Sequence, residues 1–294
     1  MSAPDSASRD EAAPIVLVHG AWMNSGAWGH VQPGLVALGH PCEALDLPGA
    51  GIHALVPASY ERRPLDIARF ASEASPSITV TQEHRTLAVI DRIRRFDRPV
   101  VLVGHSLGGI TVTDVVEAVP ERICAVVYLA AFLLAPGVPA LSMIRHDSMR
   151  HALTPTLLVA DPERIGALRI DWRSETPRYR QALYDSAYAG VSRETFERMR
   201  WTRHCDEPLG VALRPASITK ERFGGVPRHY IRCLEDRAIP VDGQDHMIST
   251  LDSAIGGTTR QRSISCGHSP FLTHPHQLIS VLHKISHEAS CGAA

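Results

Sequence analysis

The chain has 294 residues, of which 44% are hydrophobic and 21% are charged, and its formal net charge is −1. This near-neutral balance provides no general basic field, so we expect no nucleic-acid partner. No segment approaches the ~18 consecutive apolar residues that a membrane-spanning helix needs. We therefore expect no membrane partner, and the composition is that of a globular protein with a large core.

Residues 1–13 are mostly small and polar, and they lack the basic region and apolar stretch of a signal peptide. They predict a disordered lead-in. The six cysteines show neither a Cys-x-x-Cys pair nor the spacing of metal ligands. Cys124 and Cys233 lie inside apolar runs, where free buried cysteine is common. We expect a reduced, cytoplasmic protein.

Short β-branched runs alternate with longer segments of helical character, a pattern typical of an α/β fold with a mostly parallel sheet flanked by helices. The predicted strands are 15–20, 41–51 (a shorter strand that runs into a glycine-rich turn), 100–104, 124–132, 227–234 and a weaker 260–266. A helix is expected over residues 107–119. The final helix is predicted over 275–289, where Leu278, Leu282 and Ile285 recur at helical spacing.

The sequence becomes polar and aromatic between residues 135 and 225 and carries no comparably strong strand pattern. Its segments 169–190 and 192–201 are predicted to be helices. An insertion of this length between two core strands is too long for a plain loop. We predict a cap, residues 135–225, that lies over the carboxyl edge of the sheet. The α/β core then consists of residues 14–134 and 226–289.

A serine lies between two glycines directly after the predicted strand 100–104. Gly104-His-Ser106-Leu-Gly108 matches Gly-x-Ser-x-Gly, with the strand before it and the helix after it that this motif requires. The backbone of such a turn is strained and crowded, and Gly104, Gly108 and Gly109 provide the space. Free N–H groups at the start of the next helix favour developing negative charge. The sequence predicts that Ser106 is a nucleophile; the alternative is a plain glycine-rich turn.

A serine hydroxyl needs a base that takes its proton and a carboxylate that orients the base. His268 directly follows the last predicted strand, and Asp236 follows the strand before it. We predict that His268 is the base and Asp236 is the orienting acid, although Asp236 could instead serve only as a turn residue. Glu235 lies beside it in sequence, and Asp242 or Asp245 could serve instead of Asp236.

Other histidines were considered for the role of base. His274 and His276 lie at a proline-flanked helix start and are typical of surface residues. His19 and His105 lie inside the two glycine motifs, so we expect them to shape the site rather than to carry protons.

Acyl transfer also needs an oxyanion hole, in which each N–H donor is worth roughly 3–4 kcal/mol. One donor is expected to be the N–H of Leu107, the residue after the nucleophile. The second donor should come from the loop after an early strand. Gly20 ends such a strand and permits close approach of the backbone, and Ala21 is placed to offer its N–H. The alternative is a simple His-Gly turn.

Five motifs in this order resemble those of the α/β-hydrolase group that contains plant methylesterases, hydroxynitrile lyases and bacterial carboxylesterases such as pyrethroid hydrolases. The motifs are VHGAW, LDLPGAG, VGHSLGG, ERFGGVPRHYIRCLEDRAIP and GHSPFLTHP. The resemblance extends from about residue 14 to residue 287. It implies an α/β-hydrolase fold and a triad of Ser106, Asp236 and His268. It also implies that Ala21 and Leu107 provide the oxyanion-hole N–H groups.

Three positions favour the esterase branch of this group. Hydroxynitrile lyases carry threonine directly after the histidine of the first motif, where this chain has Gly20. They carry lysine directly after the catalytic histidine, where this chain has Ser269. A lyase without these two groups would lack the charge that handles cyanide. Epoxide hydrolases and haloalkane dehalogenases need aspartate as nucleophile, where this chain has Ser106.

These features predict a cofactor-free serine carboxylesterase that cleaves a small, largely apolar ester through an acyl-enzyme. The predicted pocket residues are all apolar: Trp22, Met23, Phe132, Leu133, Leu157, Leu158 and Trp172. Two alternatives stay open: the same triad acting on a lactone, a thioester or a carbon–carbon bond, and a hydrolase-fold ligand receptor with a slow triad. We expect a small-molecule partner and no metal, and the sequence leaves the oligomeric state open, a homodimer included.

Overall fold

The computed structural model describes residues 12–291, so the predicted disordered lead-in lies almost entirely outside the described residues. The strands, in chain order, are Ile15–Val18 (β1), Cys42–Leu45 (β2), Val100–His105 (β3), Ile123–Leu129 (β4), Ala167–Arg169 (β5), Asp206–Pro208 (β6), Arg228–Cys233 (β7) and Arg260–Ile264 (β8). The α-helices are Gln32–Ala37 (α1), Ile67–Ser72 (α2), Gln82–Ile93 (α3), Gly108–Ala118 (α4), Ala140–Ile144 (α5), Pro162–Ile165 (α6), Pro177–Leu183 (α7), Arg193–Arg200 (α8), Leu209–Leu213 (α9), Val241–Ile255 (α10), Pro270–Thr273 (α11) and Pro275–Cys291 (α12).

Six strands form one sheet in the order β2-β1-β3-β4-β7-β8, and every pair in it is parallel. The predicted fold class, a parallel sheet flanked by helices, is therefore confirmed. After β1 the chain forms β2, which lies on one side of β1 in the sheet. It then forms β3, which lies on the other side of β1. Such a reversal leaves a crevice at the carboxyl ends of β1 and β3, which is where α/β proteins bind ligands.

The sheet is buried on both faces because its strands carry apolar residues in succession rather than in alternation. Val16 and Leu102 lie in one core cluster with helices α3, α4 and α10, whereas Leu17 and Val101 lie in a second cluster with α1 and α12. Adjacent residues of one strand point to opposite faces, so each strand contributes to both clusters. The apolar spacing predicted for the last helix places its side chains against the second cluster.

Residues 135–225 form short helices, α5 to α9, and an antiparallel pair, β5 with β6. The helix expected from residue 169 is wrong in its first part, since Arg169 ends β5 and α7 begins at Pro177. Some charges of this segment are buried: Arg169 pairs with Asp206 of β6, and both side chains are fully buried. In the described part of the chain, no helix combines the length and apolar character needed to cross a membrane.

Candidate active site

Ser106 occupies the turn between β3 and α4, and its φ of 53° lies in the left-handed region. The turn is tightly enclosed. A Cβ at Gly104 would lie 2.7 Å from the side chain of Val112, and a Cβ at Gly108 would lie 2.5 Å from the carbonyl oxygen of His19. Only glycine fits at these two positions without movement of the chain, which accounts for the glycines of the motif.

A chain of hydrogen bonds joins Ser106, His268 and Asp236, and all three residues are buried. His268 Nε2 lies 2.9 Å from Ser106 Oγ, and His268 Nδ1 lies 2.7 Å from Asp236 Oδ2. The other carboxylate oxygen of Asp236 accepts the N–H groups of Ala238 at 2.7 Å and Ile239 at 2.9 Å. A carboxylate held in this way accepts the Nδ1 proton of the imidazole, so the Nε2 lone pair faces the serine hydroxyl.

The other acids and bases considered from the sequence lie elsewhere. Glu235 and His276 are exposed. Asp245 accepts a 2.6 Å bond from an arginine of β7, and Asp242 lies 3.9 Å from an arginine of the insertion. His274 bonds with the neighbouring threonine at 2.9 Å. None of these five residues borders the cavity at Ser106.

Two buried histidines, His19 and His105, hold the backbone around the site through hydrogen bonds. His105 Nε2 lies 2.9 Å from the carbonyl oxygen of His268, to which it donates. Burial, reinforced by the proximity of His268, holds the pKa of His105 well below its ordinary value. His19 donates from Nδ1 to the Gly20 carbonyl at 2.8 Å and accepts the Leu47 N–H at Nε2 at 3.1 Å. Burial lowers the pKa of His19 to about 4, so it stays neutral and ties two loops together.

The two backbone N–H groups predicted to form an oxyanion hole, those of Ala21 and Leu107, bond no acceptor among the described residues. Both residues border the same cavity as Ser106. A Cβ at Gly20 would lie 2.7 Å from the Cβ of Ser106, so glycine is what allows the first loop to approach the serine. The site therefore combines a serine hydroxyl with unbonded amide donors.

The loop that carries Ala21 is held by a carboxylate that the sequence analysis missed. Trp22, with a φ of 57°, donates its backbone N–H to Glu207 Oε2 at 3.1 Å and its indole N–H to the Leu168 carbonyl at 2.9 Å. Burial alone would raise the pKa of Glu207, but its ion pair with Arg85 and the nearby His204 outweigh burial and lower this pKa to about 2. Glu207 lies in β6 of the insertion, and no local motif identifies it.

A cavity of about 90 Å³ lies at Ser106. Six of the seven predicted pocket residues border it, and the seventh, Leu133, does not. Leu133 is wrong as a pocket residue because its side chain is fully buried inside the core cluster. The wall also includes apolar residues that the sequence did not single out, among them Leu141, Ile144, Met149, Leu168, Ile170 and Ile239.

Three polar residues of the insertion also border this cavity: Thr154, Ser186 and Arg203. Thr154 Oγ1 and Ser186 Oγ bond with each other at 3.1 Å. Of the described residues, the histidines that lie close enough to share a metal ion are His40, His283 and His287, and they are not among the cavity residues.

Comparison with known proteins identifies the family. The model of the α/β-hydrolase family matches residues 15–281. The pyrethroid hydrolase of Sphingobium wenxiniae is 26% identical over 273 residues, which cover 91% of this chain and 85% of that protein. Salicylic acid-binding protein 2 of Nicotiana tabacum is 29% identical over 296 residues, 95% of this chain and 98% of its own.

The polyneuridine aldehyde esterase of Rauvolfia serpentina is 26% identical over 296 residues, covering 96% of this chain and 98% of that protein. Among solved structures, a pyrethroid hydrolase matches with a TM-score of 0.74 at 23% identity, over 93% of this chain and 97% of the other. These relatives agree with the resemblance drawn from the five motifs. The chain belongs to the α/β-hydrolase family.

Proposed function

We propose that this protein is a carboxylesterase in which Ser106 is the nucleophile, His268 the general base and Asp236 the acid that orients the histidine. The observation that carries this proposal is the chain of 2.9 Å and 2.7 Å hydrogen bonds that ends at a serine facing a cavity. The names of two relatives, a pyrethroid hydrolase and a polyneuridine aldehyde esterase, support hydrolysis of an ester.

In the first half-reaction, Ser106 Oγ attacks the ester carbonyl carbon while His268 Nε2 takes the hydroxyl proton. The carbonyl oxygen becomes an oxyanion, and the N–H groups of Ala21 and Leu107 donate to it. Asp236 stabilises the imidazolium that has formed. His268 then gives the proton to the leaving alkoxide, the carbon–oxygen bond breaks, and the alcohol departs from the acyl-enzyme.

In the second half-reaction, a water molecule takes the place of the alcohol. His268 Nε2 accepts a proton from this water as its oxygen attacks the acyl carbon, and the same two N–H groups bind the second oxyanion. The proton then returns to Ser106 Oγ as the acid leaves. The residues of the chain account for every proton transfer, so the proposed reaction uses no cofactor.

The walls of the cavity support a small and largely apolar substrate. Indole, phenyl and aliphatic side chains surround Ser106, and they include Trp22, Phe132 and Leu157. Apolar walls favour ligands through burial of hydrocarbon surface, while the few polar groups fix orientation. A lactone or thioester with the same hydrocarbon portion would meet the same groups.

A ligand receptor with a slow triad is the second candidate, and one observation favours it: a relative at 29% identity is named a salicylic acid-binding protein. A receptor would bind its ligand without repeated turnover. The number of turnovers per active site separates the two candidates.

The test is hydrolysis of p-nitrophenyl esters from acetate to octanoate by the wild type, Ser106→Ala and a control, Ser249→Ala, at an exposed serine. We expect multiple turnovers with an optimum at one chain length. Loss of the nucleophile should lower kcat by about 10⁴-fold or more, while the control stays at the wild-type rate. Equal rates in Ser106→Ala would refute the proposal. The cytoplasmic location stays a prediction.

A further inference from the structure

Arg203 is a buried cation in the wall of the cavity at Ser106. The residue is only 2% exposed. Its Nε donates to the hydroxyl of Tyr188 at 2.5 Å. Its two terminal nitrogens are buried, and neither has a hydrogen-bond partner among the described residues. The guanidinium therefore has one bonded nitrogen and two unused donors, in a residue that borders the same cavity as Ser106.

Two other buried arginines of the insertion differ from Arg203. Arg200 donates to two glutamate carboxylates at 2.7 Å each and to the backbone carbonyl of Trp172 at 3.1 Å. Arg169 holds both carboxylate oxygens of Asp206, at 2.6 and 2.7 Å. Burial of an arginine in this protein is thus normally accompanied by a carboxylate. Arg203 has no such carboxylate among the described residues, although it follows Arg200 closely in the sequence.

A charge buried without a partner opposes folding strongly, whereas the same charge paired with an anion opposes it far less. The two terminal nitrogens of a guanidinium match the two oxygens of a carboxylate, and this pairing is stronger than a hydrogen bond between neutral groups. A ligand in the cavity is the available source of that carboxylate, because Arg203, Ser106 and His268 border one space.

We propose that Arg203 binds a carboxylate of the substrate, so that the ester cleaved at Ser106 carries a second, ionised carboxyl group. This inference rests on the proposed esterase function and narrows its substrate class. The portion between the ester and the carboxylate would be hydrocarbon, since most residues of the cavity wall are apolar. Half-esters of small dicarboxylic acids have this chemistry.

The test compares matched esters that differ only at the far end. Monomethyl succinate, glutarate and adipate each end in a carboxylate, and methyl butanoate, pentanoate and hexanoate place a methyl group at the same position. The variants are Arg203→Met, Arg203→Lys and a control, Arg198→Met, which removes an exposed charge nearby. Circular dichroism and melting temperature verify the fold of each variant.

We expect the wild type to prefer one charged half-ester over its neutral counterpart in kcat/KM. Arg203→Met should lower this ratio by about 10- to 100-fold, the effect of a lost hydrogen-bonded charge pair, and Arg203→Lys should restore part of it. The control, Arg198→Met, should leave the ratio unchanged. An unchanged ratio in Arg203→Met would overturn the inference, whether or not the melting temperature falls.

Binding separates failure of this inference from failure of the esterase proposal. Calorimetry measures glutarate binding to Ser106→Ala and to the double variant with Arg203→Met. Binding that requires Arg203 supports an anion site even if no ester is turned over. Hydrolysis of neutral esters together with binding that ignores Arg203 refutes the anion site and leaves the esterase proposal intact.

A different observation carries a second inference, at the opposite side of the sheet from α4. His40 precedes β2, and His283 and His287 lie one helical turn apart on α12. One ring nitrogen of each lies within 4.8 Å of the others, and His40 Nε2 is 2.8 Å from His283 Nδ1. Histidines four residues apart on a helix present their rings on the same face.

The orientation of His40 is that of a metal ligand. Its Nδ1 lies 3.1 Å from the carbonyl oxygen of Ala13, which can only accept, so the proton is on Nδ1. The lone pair of Nε2 therefore accepts the Nδ1–H of His283 at 2.8 Å, and a bound metal ion would take the place of that proton. A histidine that ligates a metal typically donates its other N–H to such a backbone carbonyl.

We infer that His40, His283 and His287 bind a divalent transition-metal ion, with zinc as the probe. Imidazole nitrogen is a preferred ligand of zinc, and three protein ligands leave a fourth position for water, which the exposed His287 permits. The ion would join the segment before β2 to the last helix.

The test is calorimetric titration of the chelator-treated protein with zinc chloride. The wild type should bind one equivalent at this site and melt at a higher temperature with zinc. His287→Asn should weaken binding by about tenfold or more, whereas His276→Asn, a control at an exposed histidine of the same helix, should not. Equal affinity in His287→Asn and the wild type, or the absence of one-equivalent binding, would overturn this inference.

Discussion

Replacement of Glu207 by glutamine should weaken both the fold and the oxyanion hole. The carboxylate accepts the Trp22 N–H at 3.1 Å and pairs with Arg85, and all of it is buried. Glutamine keeps the shape, but its NH₂ must face one of these donors, and Arg85 loses its counter-charge. Removal of one partner of a buried ion pair costs about 3–5 kcal/mol of stability.

The lowered pKa of Glu207 gives a second value for the contribution of this carboxylate to the free energy of unfolding. The shift from 4.5 to about 2 corresponds to roughly 3 kcal/mol of stability at neutral pH. The unfolded chain binds the proton more readily than the folded one, so this stability is fully present above the unfolded pKa. It is lost as the pH falls from about 4.5 to about 2. The free energies of unfolding of the variant and the wild type should therefore converge in acid.

The assay is urea unfolding monitored by circular dichroism, at neutral pH and at about pH 3, together with p-nitrophenyl ester kinetics. Glu207→Gln should unfold at lower urea. Its kcat should fall by about 10²-fold, because displacement of Trp22 moves the neighbouring Ala21 amide. Glu194→Gln, at an exposed glutamate, is the matched control. A stability within 1 kcal/mol of the wild type and an unchanged kcat would refute this reasoning.

Two further substitutions test the local arguments. Gly20→Ala places a Cβ 2.7 Å from the Cβ of Ser106, so kcat for p-nitrophenyl esters should fall by about tenfold or more; an unchanged kcat would contradict the need for close approach. Asp206→Asn breaks the fully buried pair with Arg169, and urea unfolding should show a loss of about 3–5 kcal/mol. A loss below 1 kcal/mol would show that the pair does not hold β5 and β6 together.

The parts of the fold that follow from local pattern could be predicted from the sequence. Apolar runs rich in β-branched residues predict buried parallel strands, and β3 and β4 are such strands. Helical spacing of apolar residues predicted α12. The turn at Ser106 could also be predicted from the sequence. A crowded strand-to-helix turn accepts only glycine at the positions that flank the serine, and this produces a fixed five-residue motif.

The supports of the site depend on contacts between residues far apart in sequence, and no local pattern reports them. Glu207 reaches Trp22 across 185 residues. Strand β5 lies where a helix was predicted to start, and its Arg169 pairs with Asp206. The sequence pattern did not show this, since a buried charge and a solvated charge look alike in sequence. Two further features also become visible only when the chain is folded: the terminal nitrogens of Arg203 bond none of the described residues, and His40 lies close to α12.

The most direct test of the account is to trap the acyl-enzyme. Rapid acid quench of the wild type during turnover of p-nitrophenyl butanoate, followed by peptide mass spectrometry, locates any acyl group. We expect one butanoyl group per chain, on the peptide that contains Ser106, and none in Ser106→Ala. Turnover with the acyl group on another residue, or turnover that persists in Ser106→Ala, would contradict it.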